Sequence, residues 1–140
     1  MAEAILRDLG GDRFEACSAG SHPAGFIHPL AADAMQSMGV PMENQSSKGW
    51  EEFADVTLNV VITLCDAAAA EPCPTWLGSP NVAHWSLPDP TYHPGTQDER
   101  TAFTLRVAQR LRMKIEGLVE LDYSDDPANI QKRLEFLGEI

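Results

Sequence analysis

Apolar residues recur at helical spacing from the first position, at Met1, Ala4, Ile5 and Leu9, and Gly10-Gly11 supplies a stop. This predicts a helix that opens without a Ser, Thr, Asp or Asn ahead of it to cap its first N–H groups. Phe14 to Ala19 reads as a short strand, broken by Ala19-Gly20-Ser21 and the turn at Pro23. Pro29 suits the first position of a second helix, with Leu30, Ala34 and Met38 on one face and Gly39 as its stop. Pro41 to Asp55 is polar and mixed, with a turn of helix at Gly49 to Ala54 turning Trp50 and Phe53 inward. Leu58 to Cys65 is almost continuously apolar, as a strand covered on both faces must be.

Residues 66 to 83 form a long loop that contains Cys73, Pro74 and Pro80. Val82 to Ser86 gives a last strand before Pro88-Asp89-Pro90. The longest helix runs from Thr96 to Leu121, opened by the capping box Thr96-Gln97-Asp98-Glu99. Val107, Leu111, Ile115, Leu118 and Val119 form its buried stripe, and Arg106, Arg110 and Lys114 are expected on its solvated face. Asp125-Asp126-Pro127 then caps a short final helix that buries Ile130, Leu134 and Leu137. This order of elements implies an α/β sandwich with a parallel sheet. A βαβ series starts on a strand, so a strand is owed before Met1.

The composition sets bounds on function. One hundred and forty residues, 44% hydrophobic and 22% charged, make one soluble domain. No apolar run approaches the roughly 20 residues of a membrane span, and no basic-then-apolar leader is present, so no membrane partner and a cytoplasmic location are expected. A net charge of −11 with only ten Lys and Arg argues against a nucleic-acid partner. His22, His28, His84 and His93 lack compact ligand spacing, so neither a metal nor another cofactor is expected. The three cysteines are too few for a disulfide scaffold: Cys17 reads as a core thiol, and Cys65 and Cys73 as either a structural or a redox pair.

Four stretches together carry a family resemblance: Met1-Ala2-Glu3-Ala4, Ser18 to His22, Cys65 to Cys73-Pro74, and His84-Trp85-Ser86-Leu87-Pro88-Asp89-Pro90. Over residues 1 to 121 the chain resembles the low-molecular-weight tyrosine phosphatase superfamily, and within it the thioredoxin-coupled arsenate reductases. Residues 122 to 140 read as a turn and short helix appended to the same domain. The resemblance implies a three-layer α/β/α sandwich with a short parallel sheet whose first strand is missing here. It also implies a Cys-(five residues)-Arg loop just ahead of the Met-Ala-Glu-Ala helix, where a thiolate attacks the oxyanion and backbone N–H groups cradle it. The positions six after Cys17, Cys65 and Cys73 hold Pro23, Glu71 and Ser79, so the 140 residues contain no such loop.

The resemblance makes Asp89 the general acid, an alternative to its being a plain turn aspartate. It makes Cys65 and Cys73 the pair that releases arsenite and then forms the exported disulfide, although their eight-residue separation is slightly longer than the family pattern. The implied partners are arsenate or phosphate and a thioredoxin-like reductant. Three functions remain open: an arsenate-reductase-like protein inactive in this form, a tyrosine phosphatase, or a non-catalytic binding scaffold. The unfilled place in the sheet is expected either to close by direct pairing of the Phe14 and Leu58 strands or to take a strand from a second copy, giving a strand-exchanged homo-oligomer.

Overall fold

The computed structural model describes residues 1–20, 23–43, 45–64 and 76–140. Among the described residues, four α-helices and one two-stranded sheet carry the fold: α1 (Ala2–Gly10), α2 (Pro29–Ser37), β1 (Val60–Thr63), β2 (Asn81–His84), α3 (Gln97–Val119) and α4 (Pro127–Glu139). The strands run parallel, with Val60 opposite Asn81 and Thr63 opposite His84. An α/β fold with a parallel sheet is therefore what these residues form.

Helices α2, α3 and α4 start where the sequence provides an acceptor or a proline, whereas α1 follows Met1 with no side-chain cap. His28 Nδ1 accepts from the Leu30 N–H at the head of α2, which carries Pro29 at its first position. Thr96 Oγ1 accepts from the Glu99 N–H, and Asp126 accepts from the Ala128 N–H. Gly39 follows α2 at φ +68°, a left-handed conformation that ends a helix with little cost only at glycine.

One apolar core unites these elements. Ile5 from α1, Met35 from α2, Trp85 beyond β2, Leu111 and Ile115 from α3, and Leu134 from α4 are all buried in it. Helix α3 is its axis, with α1 and α2 both packed along it, while α4 lies against β2. The indole Nε1 of Trp85 donates to the Leu134 carbonyl at 2.8 Å, and Gln131 Nε2 donates to the Val82 carbonyl. Thus α4 belongs to the core. It also covers the outer side of β2, where an exposed edge would invite strand pairing.

Several expectations need correction. Phe14 to Ala19 joins no ladder among the described residues; its backbone is extended at Phe14, and one isolated bridge joins Gly20 to Gly49. Phe14 instead packs edge-on against Tyr123, with ring centroids 5.7 Å apart. Direct pairing of this segment with β1 is not formed, and β1 pairs with β2 alone among the described residues. Val60–Thr63 is half-buried rather than fully covered. Cys17 is exposed, not core.

Lys114, expected on the wet face of α3, is fully buried. Its Nζ donates to the carbonyls of Leu137, Gly138 and Ile140 at 2.8, 2.9 and 2.8 Å, closing the last turn of α4. A buried ammonium needs such partners, and a helix C-terminus supplies them.

Candidate functional site

The head of α1, the end of β1 and the segment after β2 converge on one cavity of about 180 Å³. Met1, Ala2, Leu64, Leu87, Asp89 and Val107 are among its lining residues. It is mostly apolar, and among the described residues Asp89 is the one ionisable side chain that lines it. A helix N-terminus beside a carboxyl group in an apolar recess suits oxyanion chemistry: the N–H groups attract the anion and the acid can supply a proton.

Local sequence fixes Asp89 in place. It caps the short 3-10 turn Pro90–Tyr92, and its Oδ1 accepts from the Thr91 N–H at 2.9 Å and from Thr91 Oγ1–H at 2.7 Å. Pro90 stands at the first position of that turn, where its fixed φ fits and its missing N–H costs nothing. The turn aspartate read from Pro-Asp-Pro is therefore real, and it also faces a cavity.

Cys65 and Cys73 lie outside the described residues. Leu64, the residue before Cys65, lines the same cavity as Asp89. Cys17 stands apart from that cavity's lining. Its thiol is pushed up from the ordinary range, first by burial of the sulfur although the residue is exposed overall, then by Glu3 and Glu15, with Lys48 opposing. A raised thiol pKa leaves little thiolate at neutral pH, so Cys17 is a poor nucleophile.

A larger opening of about 590 Å³ is lined by Thr63, His84, Glu135 and Glu139 but not by Asp89. There His84 Nδ1 and Thr63 Oγ1 share a hydrogen bond of 2.8 Å. Among the described residues no group of three or more His, Cys, Asp or Glu side chains could hold a metal ion. Nor is any described helix long and apolar enough to cross a membrane.

Two features were missed from sequence. Glu3 is buried beside α1's neighbours, with Arg7 Nη2 at 3.5 Å and Lys48 Nζ at 3.6 Å. Its position in the first turn of a helix was legible; its burial against Lys48, 45 positions away, was not. The second is a contact between the Asp89 turn and α3, through Arg100 and Phe103, for which local sequence offers no signal.

Known proteins match this chain over most of its length. The family profile described as low molecular weight phosphotyrosine protein phosphatase matches residues 1–133, which takes in the first half of α4. The arsenate reductase of Bacillus subtilis (strain 168) is 31% identical over 120 residues, 86% of this chain and 85% of that protein. The arsenate reductase of Bacillus licheniformis is 32% identical over the same shares of each chain. That of Staphylococcus aureus (strain Newman) is 28% identical over 108 residues, 77% of this chain and 81% of its own.

Proposed function

This chain belongs to the low molecular weight phosphotyrosine protein phosphatase family, and we propose that it is an arsenate-reductase-like member carrying the later half of a cysteine relay. The observation that carries this reading is the shared cavity at the head of α1, which holds both Asp89 and the residue that precedes Cys65. Arsenate reductases at about 30% identity supply the choice of chemistry.

In the proposed relay a first thiolate displaces an oxygen from arsenate and forms an As–S bond, with Asp89 protonating the leaving oxygen. The Cys65 thiolate then attacks that sulfur. The As–S electron pair passes to arsenic, reducing As(V) to As(III), and arsenite leaves. Next the Cys73 thiolate attacks the Cys65 sulfur, expels the first thiolate and leaves a Cys65–Cys73 disulfide. A dithiol of the thioredoxin type would reduce this disulfide by the same exchange.

The 140 residues contain no Cys-(five residues)-Arg sequence. The first thiolate and its oxyanion cradle are therefore not supplied by Cys17, Cys65 or Cys73. Within these residues the chemistry is limited to the acid and the exchange pair. A phosphatase of the same family would use Asp89 in the same way but has no task for Cys65 and Cys73, so the reductase reading is favoured.

Mild oxidation of the reduced chain followed by peptide mapping tests the assignment. The expected first product is the Cys65–Cys73 disulfide. A Cys17 crosslink formed earlier, or two thiols inert to both oxidant and alkylating reagent, would overturn it.

A further inference from the structure

The carboxyl group of Asp89 is held asymmetrically. Its two hydrogen bonds among the described residues, from Thr91 N–H and Thr91 Oγ1–H, both fall on Oδ1. A carboxyl oxygen that accepts twice is the poorer place for a proton, so the acidic proton belongs on Oδ2. For an acid that must deliver a proton in one direction, which oxygen carries it matters as much as where the residue sits.

The turn that creates this asymmetry is gripped from outside. Helix α3 presents Arg100 and Phe103, three positions apart and so on one face, toward residues 91 to 93. Arg100 Nη2 donates to the Thr91 carbonyl at 3.1 Å. The Phe103 ring stacks on His93, with centroids 3.8 Å apart and planes within 7°, and the Arg106 guanidinium lies 5.7 Å from the Phe103 centroid. The turn is thus fastened at its middle by a hydrogen bond and at its exit by an aromatic stack. Between the two, Tyr92 is left 85% exposed.

Arg100 is costly for a merely structural residue. Its Nε is buried without a hydrogen-bond partner among the described residues, and an unpaired buried donor calls for a reason. An apolar side chain could fill the same space without that cost. What it could not do is hold the Thr91 carbonyl.

We propose that Arg100 and Phe103 are positioning residues for the reaction: they fix the Thr91 turn so that Asp89 keeps Oδ1 bound and presents the proton of Oδ2. This rests on the reading of Asp89 as the general acid. Neither residue touches the reacting atoms; both act through Thr91 and His93.

The test follows the Thr91 amide by NMR in the ¹⁵N-labelled full chain as pH is lowered. That N–H donates to the Asp89 carboxylate, so its shift should move as Asp89 takes up a proton and should stop moving in D89N. In R100M the amplitude is expected to fall by about half or more, because hydrogen bonds weaken steeply once geometry is lost. R100K should restore most of it, since only one acceptor is used. F103L, read in the same way, should also lower the amplitude and covers the case in which R100M does not fold. A parental amplitude in folded R100M or in F103L would overturn the proposal, as would a Lys variant no better than Met. The readout needs no turnover. If the Cys65–Cys73 disulfide fails to form while the Thr91 amplitude still follows Arg100, the redox reading falls and the positioning stands; the reverse pattern separates them the other way.

Discussion

Replacing Lys114 with methionine should destabilise this protein by roughly 2–3 kcal/mol, the low end for two carbonyls left without a donor at about 1–3 kcal/mol each, because both belong to half-buried residues. The substitution nearly conserves volume, so little of that cost is cavity. Lys114 Nζ satisfies three main-chain oxygens at the C-terminal end of α4, those of Leu137, Gly138 and the capping residue Ile140. Ile140 is 42% exposed, and its carbonyl can turn to water. Leu137 and Gly138 are half-buried, and Gly138 sits so close to the His84 carbonyl and the Trp85 ring that an added Cβ would lie 2.9 Å from each. Their carbonyls cannot easily reach solvent, which leaves two orphans. For 140 residues the unfolding entropy is about 0.3 kcal/mol/K, so the melting temperature should drop by roughly 7–10 °C.

A second signature is pH dependence. Burial first, and the neighbouring Arg110 second, hold the Lys114 ammonium below its ordinary range. Between that lowered folded value and the unfolded value near about 10.4, the unfolded chain binds more protons than the folded one. Stability from this group therefore rises with pH across that window, and K114M should lack the rise. Chemical denaturation of both proteins at neutral and alkaline pH reads both effects. A methionine variant as stable as the parent would mean that desolvating the ammonium outweighs its three hydrogen bonds, and the reasoning would fail.

Tyr123 gives a further test: burial pushes its hydroxyl up to about 12, only partly offset by Arg13, and its O–H donates to the Leu118 carbonyl at 2.6 Å. The folded state keeps this proton while the unfolded state loses it from about pH 10, so the contribution of Tyr123 to stability is lost as pH rises from 10 toward 12. A phenolate absorbance titration should show a late step that disappears in Y123F; a single step common to both proteins would contradict it. Separately, β1 pairs with β2 alone among the described residues, and open edges recruit strands. Sedimentation velocity is expected to show self-association between micromolar and near-millimolar chain, and a monomer throughout would count against strand exchange.

What the sequence disclosed followed local rules. The stripe Val107, Leu111, Ile115 and Leu118 repeats with the helical period and is buried as read. Thr96 and Asp126 announce their helices because a cap needs only residues two or three positions away. Asp89 was legible for the same reason, since Pro-Asp-Pro constrains its own backbone. Lys114 was misread because it follows Arg106 and Arg110 in a basic row; its burial depends on carbonyls 23 to 26 positions later. Phe14 to Ala19 was read as a strand from its own residues, yet a ladder requires a neighbour, and Phe14 found Tyr123 instead. Arg100 and Phe103 escaped notice because they sit on the same helix as the solvated residues and reveal their role only where the Asp89 turn folds back onto α3.

The division of labour in the proposed relay is tested most directly by turnover of the 140-residue chain alone, given arsenate and a dithiol reductant, and in parallel p-nitrophenyl phosphate. The 140 residues contain no Cys-(five residues)-Arg sequence, so in the proposed relay they supply neither the covalent attack nor the oxyanion cradle. The expected result is no arsenite and no nitrophenol above a heat-treated blank, from a protein that still forms the Cys65–Cys73 disulfide. Turnover well above the blank, abolished by changing any one of Cys17, Cys65 or Cys73 to serine, would place the first nucleophile among these three residues and contradict that division.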